Sequence, residues 1–142
     1  MDASQIAQIN LGLQIFLIIL LLLSWTLKKK GKFYAHGSMM SIAIVLNAVS
    51  FALVMVPSLR NLKEVIANYP LSHFSIMVVM HATLGSIAEI LAIWLVSSWR
   101  LRSGTQHCAS RKKIMLATFV LWMTASSLGI LTYEYLWNNL QI

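Results

Sequence analysis

Charge is scarce in this chain: of 142 residues only 11% are Asp, Glu, Lys or Arg, while 58% are hydrophobic and the mean hydropathy is +0.74. A water-soluble domain of this size still exposes roughly a third of the surface of its unfolded chain, and so few charges leave too little polar surface to cover it. A lipid solvent removes that requirement. Cysteine is nearly absent. Cys108 is the single one, which excludes an internal disulfide, a CxxC redox pair and a multi-thiolate zinc or iron-sulfur site within the chain. A quinone-linked thiol oxidoreductase is excluded with them. There is no Gly-rich phosphate loop, serine-nucleophile motif or HExxH helix, so independent catalysis has no positive support. The opening Met1-Asp2-Ala3-Ser4-Gln5 lacks a basic segment, and the first apolar run reads as retained and not as a signal peptide.

What the sequence does have is long apolar runs. Crossing a hydrocarbon core of about 30 Å takes about 20 residues of helix at about 1.5 Å each. Four segments of residues 1–142 qualify, at about 6–27, 35–56, 71–99 and 114–137, with Pro57 expected to end the second and Pro70 preceding the third. No long linker, low-complexity stretch or repeat divides them. The expected fold is all-α, a single antiparallel four-helix transmembrane bundle in contact with the lipid bilayer. Gly85, Ser86 and Ala88 in the third span, and Ala125, Ser126, Ser127 and Gly129 in the fourth, are small enough to let helix backbones approach.

The formal net charge of +7 raises a nucleic-acid partner, but the positions of the charges argue otherwise. Nine of the eleven basic residues fall in two stretches, Lys28, Lys29, Lys30 and Lys32, then Arg100, Arg102, Arg111, Lys112 and Lys113. Such clusters mark cytoplasmic loops, with anionic-lipid contact as a secondary role. Loops 28–34 and 100–113 are therefore expected in the cytoplasm of a cell-membrane protein with both termini outside, and no nucleic acid is expected as partner. Trp25, Tyr34 and Trp99 then lie near the inner boundary, with Tyr69, Tyr133, Tyr135 and Trp137 near the outer one.

Ionisable groups at membrane depth are costly, which makes them the first candidates for function. His73, Met77 and His81 recur at spacings of four and share one broad helix face, which continues to Gly85 and Glu89. Counting helical rise puts His81 near the level of Gln14, Ser50 and Gly129, and Asn47 near the midplane. His73, His81 and Glu134 converge if their faces turn inward, a set suited to a transition metal, with Met77 or Met80 adding a thioether for copper. The plainer alternatives are that His73 and Glu134 are wetted interfacial groups and that His81 bonds Ser50, Gln14 or a backbone carbonyl. Glu89 is either a protonated, hydrogen-bonded carboxyl or a proton-handling group in a polar cavity. His36 and His107, at the basic end, are a weaker pair for an ion or anionic headgroup, with Cys108 adding little.

The segment Tyr34-Ala35-His36-Gly37-Ser38-Met39-Met40 resembles the second-helix opening of a family of small multi-span membrane proteins of the CtaM and YozB type, linked to haem-copper oxidase biogenesis. Val79-Met80-His81-Ala82-Thr83-Leu84-Gly85 is similar to that family's mid-helix histidine segment. Arg111-Lys112-Lys113-Ile114-Met115, with Leu121-Trp122-Met123-Thr124 and Gly129-Ile130-Leu131-Thr132-Tyr133, is similar to its last helix. The resemblance covers spans two to four and implies cofactor-binding roles for His36 and His81. The family has a histidine directly before the basic pair opening the last helix, where this chain has Ser110. His36 and His81 also differ in depth by about 20 Å, too far to share one iron. Haem-b four-helix cytochromes, which hold haem between histidines of facing helices, have a similar layout, but only His81 lies deep here.

The function expected is a small membrane accessory or assembly subunit of a respiratory or redox-enzyme complex, with membrane-protein partner subunits and with haem b or copper at His81. The alternatives are a proton-coupled small-molecule carrier using Glu89, although small multidrug exporters place their glutamate in the first span, and a purely structural membrane subunit.

Overall fold

An apolar segment in lipid has no water to satisfy its N–H and C=O groups, and a helix satisfies them internally. The computed structural model describes residues 3–99 and 111–140. They form α1 (Ala3–Lys29), α2 (Phe33–Ser50), a π-helical turn (Phe51–Met55), α3 (Val56–Asn68), α4 (His73–Trp99) and α5 (Lys112–Leu140). The π turn joins α2 and α3 into one rod of 36 residues, so four rods are long and apolar enough to cross a membrane. The protein is thus a multi-pass membrane protein, an all-α bundle of four rods.

The main contacts run from α1 to α2, α2 to α4, α4 to α5 and α5 back to α1, which puts the rods at the corners of a square. α1 turns into α2 through Gly31, whose φ of +71° suits a residue without a side chain. Lys32 N–H donates to the Leu27 carbonyl at 3.0 Å and Gly31 N–H to that of Lys28 at 3.1 Å, the paired bonds of a Schellman motif. This tight reversal makes α1 and α2 antiparallel neighbours.

Leu21, Ile44, Ala88, Ala92 and Trp122 form the buried core, one cluster drawn from all four rods. The small alanines of α4 let α5 come close, and Trp122 fills the space between them. Only 17–22% of each apolar window is buried, and Ile9, Phe16, Val45, Leu53, Ile90 and Val120 face outward. Such a surface fits lipid as the surrounding solvent and not water.

Pro57, expected to end the second span, does not end the helix. A proline inside a helix removes one N–H and pushes its ring against the carbonyl four residues back. Here the helix widens just before it. Val56 N–H donates to the Phe51 carbonyl, a five-residue step, and Pro57 then sits in the first turn of α3, where a proline is tolerated. Residues 58–68, expected as a loop, continue the rod, and α3 carries Arg60, Asn61, Lys63 and Glu64.

Candidate functional site

Two cavities lie inside the bundle, one in the half carrying the chain termini and one in the half carrying the basic turns. Trp122 borders both and is 3% exposed. The cavity of the terminal half has a volume of about 230 Å³ and is lined among others by Asn10, Gln14, Asn47, His81, Ser126 and Gly129. The cavity of the basic half measures about 90 Å³ and is lined mainly by apolar and aromatic residues, with His36, Lys28 and Arg111 as its charged or titratable members.

His81 enters the first cavity from α4. Its Nδ1 lies 2.7 Å from the Ala125 carbonyl of α5. A carbonyl only accepts, so Nδ1 carries the hydrogen and donates, and in the neutral ring Nε2 keeps its lone pair. Gly129 makes room for this arrangement: a Cβ there would stand 2.7 Å from His81 Cε1. Gly85 faces a looser contact, since a Cβ there would meet that of Ala125 at 3.9 Å.

A polar layer crosses the bundle beside Trp122. Asn47 of α2 donates from Nδ2 to Glu89 Oε2 of α4 at 2.8 Å, both residues being buried. Glu89 Oε1 and Gln14 Nε2 are buried without a hydrogen-bond partner among the described residues. Nearer the termini, the Ser50 hydroxyl donates to Asn10 Oδ1 at 2.6 Å and ties α2 to α1. Unpaired polar groups cost free energy away from water, so the two orphans mark where this layer is incomplete.

His36 is held in the same manner at the basic end. Its Nδ1 donates to the Ser24 carbonyl at 2.9 Å, while the Ser24 hydroxyl donates to the His36 carbonyl at 3.2 Å. The same hydroxyl oxygen lies 2.7 Å from Nδ1. The two histidines therefore open into different cavities and do not share a site.

Of the set expected to hold a metal, His73 and Glu134 are exposed, and His81 is half-buried. Among the described residues no three His, Cys, Asp or Glu side chains stand together as a metal group, so His73, His81 and Glu134 are not gathered into one. His73 and His81 are eight residues apart on a straight helix, about 12 Å of rise, which is too far for a shared ion. Met80 is also exposed. His107 and Cys108 lie outside the described residues.

Helical rise put His81 near the level of Gln14, Ser50 and Gly129; Gln14 and Gly129 line its cavity, and Ser50 does not. Sequence reasoning missed the Asn47–Glu89 and Ser24–His36 pairs. The available signal was that each lone polar residue in an apolar span needs a partner at matching depth on a neighbouring span.

A haem does not fit inside this bundle as a complete site. The larger cavity, at about 230 Å³, falls below the roughly 300–1,000 Å³ usual for small-molecule pockets, and no second histidine shares His81's cavity. One imidazole with a fixed ring and a free Nε2 is what the chain supplies. No family model, curated protein or solved structure matches the chain.

Proposed function

We propose that this protein is an accessory or assembly subunit of a membrane redox-enzyme complex, which offers the His81 imidazole to a copper ion whose remaining ligands come from a partner. Its basic turns, 28–34 and 100–113, face the cytoplasm and its termini lie outside, in keeping with the distribution of Lys and Arg. The observation that carries this reading is the His81 Nδ1 bond to the Ala125 carbonyl. Ligating histidines are commonly oriented by such a bond on the other ring nitrogen, which fixes the tautomer and frees Nε2 for a metal. The resemblance of the helix segments around His36 and His81 to oxidase-biogenesis proteins points the same way. The test is purification from native membranes, followed by identification of associated proteins and measurement of visible spectrum and metal content. Copurification of redox-enzyme subunits, with a pigment or metal lost in His81→Ala, is expected. A protein with neither partners nor chromophore nor metal sinks the proposal.

One observation favours a second reading, proton-coupled transport through Glu89. Its carboxyl is buried and bonded to Asn47, which lines the terminal cavity, and Oε1 has no partner among the described residues. In this reading the carboxyl exchanges its proton as a substrate passes. Substrate-induced proton release in detergent is then expected to vanish in Glu89→Gln, and release of the same size in that variant removes the carrier reading.

A further inference from the structure

The cavity of the basic half combines three features that neither reading uses. Its walls are apolar and aromatic, with Leu21 and Trp25 from α1, Ile44 from α2, Val96 from α4 and Phe119 from α5. Lys28, in the last turn of α1, and Arg111, directly before α5, line it. None of its lining residues is acidic.

Both cations are held in place by the fold. Lys28 Nζ lies 5.1 Å from the Trp25 ring centroid, and the Arg111 guanidinium lies 4.6 Å from that of Trp94. Arg111 also donates to the Ser98 hydroxyl. Trp25 in turn stacks on Phe119, with ring centroids 5.0 Å apart, so the indole under Lys28 is fixed against α5. The described carboxylates lie elsewhere. Glu89 is engaged by Asn47, and Glu64 and Glu134 belong to the opposite half of the bundle. The two cations are thus held in place and have no carboxylate among the described residues to neutralise them.

We propose that this cavity is a binding site for an anionic phospholipid, with the phosphate between Lys28 and Arg111 and the upper part of one acyl chain against Leu21, Ile44, Val96 and Phe119. Basic pockets between transmembrane helices take such headgroups, and the charge complementarity here comes with an apolar slot directly behind it. At about 90 Å³ the enclosed space takes a few methylene groups, and the remainder of the chain lies in the surrounding bilayer. The exposed Lys29, Lys30, Lys32, Lys112 and Lys113 add a general attraction to anionic membranes but do not line the cavity. Site binding and general attraction are therefore separable by mutation.

The experiment measures retention of phosphatidylglycerol, phosphatidylcholine of the same chains, or oleate by the full-length protein in neutral detergent, by native mass spectrometry and by the shift in Tm. Saturable retention of phosphatidylglycerol over phosphatidylcholine is expected, weakened about tenfold in the double variant Lys28→Gln, Arg111→Gln. The control double variant Lys30→Gln, Lys112→Gln removes the same charge and is expected to retain the lipid. Equal losses in the two double variants would overturn the site in favour of a general surface field. Phosphatidylcholine binding as well as phosphatidylglycerol overturns it too. Preference for oleate over the phospholipid assigns the slot to a free anionic amphiphile and overturns the phospholipid proposal. Circular dichroism of each variant separates lost binding from lost folding.

Discussion

The two halves of the bundle hold a histidine in the same way and surround it differently. In each, Nδ1 is spent on a backbone carbonyl, Ala125 for His81 and Ser24 for His36. Around His81 stand Asn10, Gln14, Asn47 and Ser126, whereas His36 shares its cavity with Trp25, Phe33, Met40 and Phe119. The backbone bond sets which nitrogen is presented, and the neighbours set what can approach it. The terminal cavity sets amides, hydroxyls and an imidazole into a largely apolar lining and can hold water or an ion, while the basic one, with cations on its wall, admits an amphiphile.

Trp122 is what keeps the halves distinct, so its removal is the severest way to break the contrast. Trp122→Ala is expected to lower stability by about 3 kcal/mol, read from unfolding in detergent, while Trp122→Phe loses much less. A next test sharpens the contrast within the terminal half. Gly129→Ala drives a Cβ into the His81 ring and is expected to cost about 1–3 kcal/mol, an effect relieved when His81→Ala is added. Gly85→Ala, with its ordinary 3.9 Å contact, is expected to be neutral or to stabilise by up to about 1 kcal/mol.

Smaller effects come from the side-chain hydrogen bonds. Asn47→Ala leaves Glu89 Oε2 without its donor and is expected to cost about 1 kcal/mol, within the range for bonds between membrane helices. Ser24→Ala is the mildest, about 0.6 kcal/mol, because the Ser24 carbonyl that anchors His36 survives the change. A loss in Ser24→Ala larger than in Asn47→Ala would reverse this ranking and show that the basic half depends on its hydroxyl.

The four rods and their antiparallel order were legible in the sequence because lipid imposes length and hydropathy on each span, and because Gly31 marks the first reversal. Depth was legible in part, since helical rise is regular: of the residues counted to the level of His81, Gln14 and Gly129 line its cavity and Ser50 does not. Facing was not. In a soluble helix the polar side reveals the apolar one, but a span in lipid is apolar all round and carries little such signal. His73 and Glu134 counted as near neighbours in depth, and both are exposed, in keeping with the plainer reading of them as wetted groups and not with a shared metal site. For the same reason Asn47 and Glu89, 42 residues apart, gave no sign that their faces meet. Pro57 misled because a local rule, that proline ends a helix, is suspended when the preceding turn widens.

That widened turn has a consequence for the far end of the second rod. A π turn amounts to one inserted residue, and everything beyond it is rotated by about 100° relative to an unbroken α-helix. Leu59 and Leu62 of α3 border the terminal cavity together with Ser58, while Asn61 does not. Were the rod regular, Asn61 would take the angular position of Leu62. Shortening residues 51–55 by one would thus remove the irregularity while leaving the leucines at their station, whereas straightening the rod at full length would turn a hydrated side chain toward the interior.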